Sequence, residues 1–254
     1  MIDLHCHILP GIDDGATDLN VALQMARIAV DDGISTIACT PHIMPGVFDN
    51  VGADIRSLVR GLQAALENEE IPLTLVSGAD AHMDPSLLEG LESGEVPSLG
   101  GTRYFLLEPP HHIPPPRLEA FAFGLLTAGY VPILTHPERL SWIESHYGVI
   151  ERLAASGVLI QLTGDSVIGK FGRRPRYWAE RLLDEKMADL LASDAHDTRE
   201  RPQRLAQARD AVGKRCGEAT ALRLVATSPL AILRNVLPSK LRQPEGALGP
   251  VPQM

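Results

Sequence analysis

The chain has 254 residues, a formal net charge of -9, 44% hydrophobic and only 4% aromatic residues. That acidic balance excludes a general nucleic-acid backbone binder, which needs a surplus of Lys and Arg to displace counterions, and an anionic substrate would need local compensation from metal ions or placed arginines. The length fits one α/β domain whose core is filled by Leu, Ile, Val and Ala.

In chain order, residues 2–5 read as a short β-rich run. Val21, Met25, Ile28 and Ala29 then follow at helical spacing and are closed by Gly33. Residues 35–39 read as a second strand, followed by a helical stripe of Ile55, Leu58, Val59, Leu62 and Leu66. Further strand candidates are residues 73–77, 104–107, 131–135, 158–162 and 188–192, with helical segments between them. Such alternation implies right-handed βαβ crossovers and a mainly parallel sheet, closed as a barrel or open and doubly wound. Residues 238–254 are rich in Pro and Gly without periodicity and read as a mobile tail, leaving residues 1–237 as a single domain.

Cys6, Cys39 and Cys216 are odd in number and widely spaced, which predicts reduced thiols and a cytoplasmic protein. The start has no basic region leading into an apolar one, and no long uninterrupted apolar run occurs later. The expectation is therefore a chain neither secreted by that route nor inserted in a membrane.

Nearly every strand candidate is followed at once by a residue able to bind metal. His5-Cys6-His7 closes the first run, and the period-two alternation of a strand puts both imidazoles on one face with Cys6 turned away. Asp13-Asp14-Gly15 follows in a glycine-flanked loop; alone it reads as a turn, in company as a source of a ligand. Then come His42, Asp80, Glu108, His136, and Asp194 with His196. A barrel gathers the C-terminal ends of all its strands around one mouth, whereas an open sheet concentrates ligands at one switch point, so this distribution favours a barrel.

The number of ligands suggests more than one ion, because a catalytic metal typically takes three or four protein ligands. Four carboxylates, Asp14, Asp80, Glu108 and Asp194, would repel one another if gathered without cations. Three dications would leave an excess of about two positive charges, suited to a phosphate dianion. The mixture of imidazole and carboxylate without thiolate suits Mn²⁺, Fe²⁺ or Zn²⁺. Arg139, three residues after His136, and Arg201, five after His196, can hold phosphate oxygens. His82 reads as an extra polar contact near Asp80, and His111, His112 and His146 read as surface residues. A cysteine-phosphatase mechanism lacks its arginine six positions after any cysteine, and neither a phosphate-binding Gly-Lys-Ser/Thr loop nor a Gly-x-Ser-x-Gly elbow occurs.

The opening Asp3-Leu4-His5-Cys6-His7-Ile8-Leu9-Pro10-Gly11-Ile12-Asp13-Asp14-Gly15 resembles that of bacterial tyrosine-protein phosphatases of the PHP (polymerase and histidinol phosphatase) superfamily, of the type that regulates capsule and exopolysaccharide synthesis. The resemblance continues through Thr40-Pro41-His42, Gly78-Ala79-Asp80, Glu108, His136-Pro137-Glu138-Arg139, Ser193-Asp194-Ala195-His196 and Arg201-Pro202. It implies a distorted (β/α)7 TIM-like barrel with three divalent ions, Mn²⁺ first among them. His5, His7 and Asp194 would hold one ion, Glu108 and His136 a second, and Asp14, His42 and His196 a third. Where the family has a glutamate bridging the first two ions, this chain has Asp80, one methylene shorter. The implied reaction is hydrolysis of phosphotyrosine by a metal-bound hydroxide, with Arg139 and Arg201 on the phosphate, and the implied partner is a bacterial tyrosine autokinase. The rival readings are a histidinol-phosphate or other small-molecule phosphomonoesterase, and a noncatalytic metal-dependent phosphoprotein-binding module.

Overall fold

The computed structural model describes residues 1–241. The first strand, β1 (Ile2–Cys6), leads into α1 (Leu19–Asp31). The Asp18 carboxylate caps that helix by accepting a hydrogen bond from Val21 N at 3.0 Å, and Gly33 ends it at φ +84°. After β2 (Thr36–Cys39) come a two-residue strand β3 (His42–Ile43) and α2 (Gly52–Asn68). Next are β4 (Thr74–Ser77), β5 (Asp80–His82), α3 (Leu87–Ser93), β6 (Tyr104–Glu108), α4 (Leu118–Thr127) and β7 (Val131–Leu134). The series continues with α5 (Ile143–Ser156), β8 (Leu159–Thr163), α6 (Gly164–Val167), α7 (Arg173–Asp184), β9 (Leu190–Ala192) and α8 (Leu205–Cys216). All seven strand candidates are strands; β3 and β5 are too short to leave an alternation in the sequence.

Every ladder is parallel, in a three-stranded sheet β1-β2-β4 and a six-stranded sheet β3-β5-β6-β7-β8-β9. The break between β2 and β3 falls at Thr40-Pro41, where proline has no N–H for a ladder. The chain carries both strand pairs across the break, from β2 to β3 and from β4 to β5, and pairing continues through it as Gly78 N donates to Cys39 O at 3.0 Å and Asp80 N donates to Pro41 O at 3.1 Å. At the other side Asp194 N donates to His5 O at 2.8 Å and His7 N to Ala195 O at 2.9 Å, just beyond β9. The result is a curled parallel sheet whose first and last strands meet at their C-terminal ends.

Leu4, Ala38, Leu106, Ile133, Leu159 and Leu190, one from each of six strands, belong to one buried cluster, which therefore lies inside the curl. A larger cluster joins the strands to α1, α2, α5, α7 and α8. Both sheet faces are thus covered, which is why β6 reads Tyr-Phe-Leu-Leu-Glu with every residue buried rather than alternating. The remaining α-helices among the described residues are α9 (Glu218–Leu222), α10 (Ser228–Leu233) and α11 (Pro238–Leu241), with a π-helical stretch Arg223–Thr227 joining the first two. The tail expected from residue 238 therefore begins with a helical turn whose Leu241 is buried against the inner cluster, and residues 242–254 lie outside the described residues. Cys6, Cys39 and Cys216 are free thiols, and no helix among the described residues is long and apolar enough to cross a membrane.

Candidate metal centre

The polar side chains sit where the strands end. His5 lies in β1 at a register shift and His7 just after it, His42 and Asp80 follow the ends of β2 and β4 and open the short β3 and β5, Glu108 ends β6, and His136 and Asp194 follow β7 and β9. All nine predicted ligands converge: His7, Asp14, His42 and His196 form one group, and His5, His7 and Asp80 a second. His5, His136 and Asp194 form a third, and His42, Asp80 and Glu108 a fourth, with ligand atoms within 4.8 Å of one another in each. His136 and Asp194 hold left-handed backbone, at φ 35° and 53°, an uncommon state for side chains other than glycine.

Fixed tautomers turn several imidazoles inward. His7 Nδ1 donates to Asp13 Oδ2 at 2.7 Å and His196 Nδ1 to the Asp194 carbonyl at 2.9 Å; both acceptors lack a proton, so each ring presents the lone pair of Nε2 to the site. His5 Nδ1 pairs with Gln161 Oε1 at 2.9 Å, which does the same for His5. His5 Nε2 and His7 Nε2 then face each other at 3.2 Å, a pair of lone pairs that a cation, or in its absence a shared proton, satisfies. Asp13 also accepts from His42 N at 3.1 Å and Gly15 N at 2.9 Å. Gly15 is required there, because a Cβ would stand 2.0 Å from the His7 carbonyl oxygen.

The carboxylates stand against these rings. Asp80 is fully buried with Oδ2 3.3 Å from His5 Nε2 and 3.5 Å from His42 Nδ1, and neither of its oxygens has a hydrogen-bond partner. Asp194 divides its two oxygens: Oδ1 lies 3.3 Å from His5 Nε2 and 3.5 Å from His7 Nε2, while Oδ2 accepts from Arg201 Nη2 at 2.7 Å and from Arg139 Nη1. Asp14 Oδ1 faces His196 Nε2 at 3.4 Å and His42 Nε2 at 3.5 Å. Orphaned buried carboxylate oxygens, opposed imidazole lone pairs and the absence of thiolate fit divalent cations.

The electrostatics agree. Burial pushes Glu108 up, but contacts with His111, His42 and His82 outweigh it and hold the carboxyl well below its usual range; Asp194 is held low against burial by His5 and Arg139. Burial and Arg139 push His136 well below the usual imidazole value, and burial with His7 lowers His196, so both stay neutral as ligands must. Burial opposes charge on His7, yet Asp13 and Asp194 raise it to about 10, a proton standing in for the cation that the cluster calls for.

One reading of the sequence needs correction. His111 is not a surface residue: its Nε2 lies 3.3 Å from Glu108 Oε1 and its ring 5.0 Å from that of His136, making a further ligand group Glu108-His111-His136. Its position three residues after Glu108 was the available signal. His82 is near Glu108, with Nδ1 3.8 Å from Oε2, while His112 and His146 are exposed as expected. Asp13 and Gln161, which orient ligands without being among the predicted nine, are the other residues that sequence reasoning missed.

Residues 1–234 match the family model for capsular polysaccharide synthesis, CpsB/CapC. The chain belongs to the CpsB/CapC family. Among its relatives, the tyrosine-protein phosphatase YwqE of Bacillus subtilis is 36% identical over 201 residues, 79% of each chain. The putative tyrosine-protein phosphatase CapC of Staphylococcus aureus is 30% identical over 207 residues, 82% of this chain and 81% of that one. Among solved structures, one described as YwqE from Bacillus subtilis and CpsB from Streptococcus pneumoniae, unique metal-dependent tyrosine phosphatases, superimposes with a TM-score of 0.89 at 34% identity, covering 92% of this chain and 95% of that one. A histidinol phosphate phosphatase of Lactococcus lactis shares the fold at a TM-score of 0.55 and 13% identity, covering 85% of this chain and 95% of that one. This CpsB/CapC member places Asp80, the shorter acid, at the buried centre of its ligand cluster.

Proposed function

We propose that this chain is a metal-dependent protein-tyrosine phosphatase. The observation that carries the reading is the double use of Asp194, whose Oδ1 joins the histidine cluster while its Oδ2 gathers Arg139 and Arg201 at the edge of that cluster. Divalent cations held by His5, His7, Asp14, His42, Asp80, Glu108, His136, Asp194 and His196 would supply Lewis acidity and acidify an attacking water toward neutrality. Three such ions, with Mn²⁺ ahead of Fe²⁺ and Zn²⁺, suit the number of ligands, and His111 adds a tenth donor beside Glu108.

The chain's own residues bind and orient the ester. Arg139 and Arg201 are one-fifth and one-quarter exposed, so their guanidinium groups reach the mouth while anchored on Asp194 from below. Each can turn its remaining N–H groups to phosphate oxygens and stabilise the charge that builds there in the transition state. A phenol leaves with a pKa near ~10, so an aryl phosphate demands less proton donation to its leaving oxygen than an alkyl one. We read the curled sheet as the distorted (β/α)7 barrel of the PHP superfamily, closed where Asp194 and Ala195 bond to β1, and residues 1–237 as its catalytic domain. A tyrosine autokinase of capsule or exopolysaccharide synthesis in the cytoplasm is the partner this reading implies, in keeping with the family description.

Protein loaded with Mn²⁺ is expected to release phosphate from p-nitrophenyl phosphate, to stop with EDTA, and to be inactive as His136→Ala. In competition, a phosphotyrosine peptide is expected to be consumed ahead of histidinol phosphate. Preference for histidinol phosphate would replace this reading with the small-molecule phosphatase; no turnover with Mn²⁺, Fe²⁺ or Zn²⁺ would replace it with the binding module.

A further inference from the structure

The turn between α6 and α7 carries Lys170 and Phe171, the first turn of α7 carries Arg173, Arg174 and Arg176, and no acidic residue occurs from 166 to 179. In a chain with a net charge of -9 this is a concentrated cationic stretch, and like charges so close repel unless something anionic is set against them. Its position is fixed by Phe171, whose ring centre lies 4.9 Å from the guanidinium carbon of Arg139 and 5.9 Å from that of Arg201. The turn is an ordered one: Lys170 N donates to Asp165 O at 2.8 Å and Gly172 N to Gly169 O at 3.1 Å, with both glycines at positive φ.

Two of the four cations are already engaged. Arg174 Nη2 donates to Leu140 O at 2.8 Å and Ser141 O at 2.9 Å, tying α7 to the segment after Arg139, and Arg176 Nε pairs with Glu180 at 2.8 Å. Lys170 and Arg173 are exposed and make no salt bridge within 4.0 Å among the described residues, Lys170 interacting with Asp165 only at longer range. They flank Phe171 in sequence, so their α-carbons lie within about 4 and 8 Å of its own. An extended peptide advances about 3.3–3.6 Å per residue, so with a phosphate held between Arg139 and Arg201, side chains about two to four residues away from the phosphotyrosine come within reach of both cations.

We propose that Lys170 and Arg173 form a docking surface for acidic residues flanking the phosphotyrosine of a protein substrate, which rests on the phosphatase reading above. The rest of the surface, with its acidic excess, repels such a segment, so the patch sets both its orientation and the rate of productive encounter.

The test uses the full chain loaded with Mn²⁺, wild type and Lys170→Glu/Arg173→Glu, on three substrates. These are p-nitrophenyl phosphate, a phosphotyrosine peptide flanked by Asp and Glu, and the same peptide with Asn and Gln in their place. Wild type is expected to prefer the acidic peptide, and added salt to erase that preference as screening shortens to about 3 Å near 1 M. The double variant is expected to lose about tenfold in kcat/KM on the acidic peptide, while the other two substrates stay within about twofold. The milder Lys170→Gln/Arg173→Gln pair is expected to fall between. Equal use of both peptides by wild type, or an equal fall on all three substrates, overturns the docking surface; so does binding of anionic vesicles with no peptide preference. Failure of wild type to hydrolyse p-nitrophenyl phosphate sinks the phosphatase reading instead. The patch is then judged by the affinity of a nonhydrolysable phosphonate version of each peptide, where the same tenfold loss upholds it and its absence overturns it.

Discussion

Asp80→Asn separates a carboxylate that serves a cation from one that serves the fold. Asp80 is fully buried, both oxygens lack a hydrogen-bond donor, and its Oδ2 lies 3.3 Å from His5 Nε2 and 3.5 Å from His42 Nδ1. An unsatisfied buried polar group costs about 1–3 kcal/mol, and more when charged. In a domain of this size 1 kcal/mol corresponds to about 2–4 °C in Tm, so the metal-free Asn variant is expected to melt at least about 2 °C above metal-free wild type. Metal reverses the order. A cation at 100 times its Kd stabilises by about 2.7 kcal/mol. The same scaling makes that about 5–11 °C for wild type, and the Asn variant is expected to recover less than about half of it. The assay is thermal melting by circular dichroism after EDTA treatment and again after Mn²⁺ titration, with bound metal counted by elemental analysis. A metal-free Asn variant that melts below wild type, combined with an undiminished metal-induced shift and metal count, would show that Asp80 is a structural acid and refute the reasoning. Asp80→Ala, which leaves a hole as well, is expected to lose both metal and phosphatase activity.

Asp13→Asn keeps the shape of the loop but weakens the acceptor that orients His7, and is expected to lower metal affinity about 10–100-fold in a chelator competition. Gly15→Ala forces a Cβ to within 2.0 Å of the His7 carbonyl and is expected to lower stability by about 2–4 kcal/mol in urea unfolding. Gly61→Ala, in α2 with nothing within 4 Å of the added Cβ, is expected to gain about 0.5–1 kcal/mol in the same experiment. Arg139→Lys and Arg201→Lys keep the charge but lose the planar fork, and each is expected to reduce kcat about 10²–10³-fold with bound metal unchanged; a change confined to KM would assign the arginines to binding alone.

The strands and their metal-binding ends were legible because the two signals coincide. A buried parallel strand reads as an uninterrupted apolar run, and the first polar residue after it, such as Glu108 after Tyr104–Leu107, is placed at the mouth by the geometry of the sheet itself. Supporting residues lack such a marker. Gln161 is one of two polar residues inside β8, and only the pairing of His5 with its side chain across 156 positions gives it a role. His111 lies in a proline-rich loop whose path is set from afar, by Trp142 Nε1 donating to Pro110 O at 2.9 Å and Ser141 N to His111 O at 2.9 Å. The basic stretch at Lys170–Arg176 was passed over for the same reason: its meaning comes from the contact of Phe171 with two arginines supplied by other loops.

The meeting of the last strand with the first also has a consequence in time. Ser193 N bonds to the Asp3 carboxylate at 3.0 Å across 190 positions, and the next residue supplies the carboxylate that faces both His5 and His7. At about 5–20 residues per second, a ribosome needs about 10–40 s to make the chain between them. Throughout that interval the His5-Cys6-His7 triplet is an open pair of imidazoles around an unburied thiol, with neither Asp194 nor His196 to complete it. Loading of the cluster is therefore a late event of synthesis, and a chain truncated before β9 carries seven of the nine ligands without Asp194 and His196 to close them.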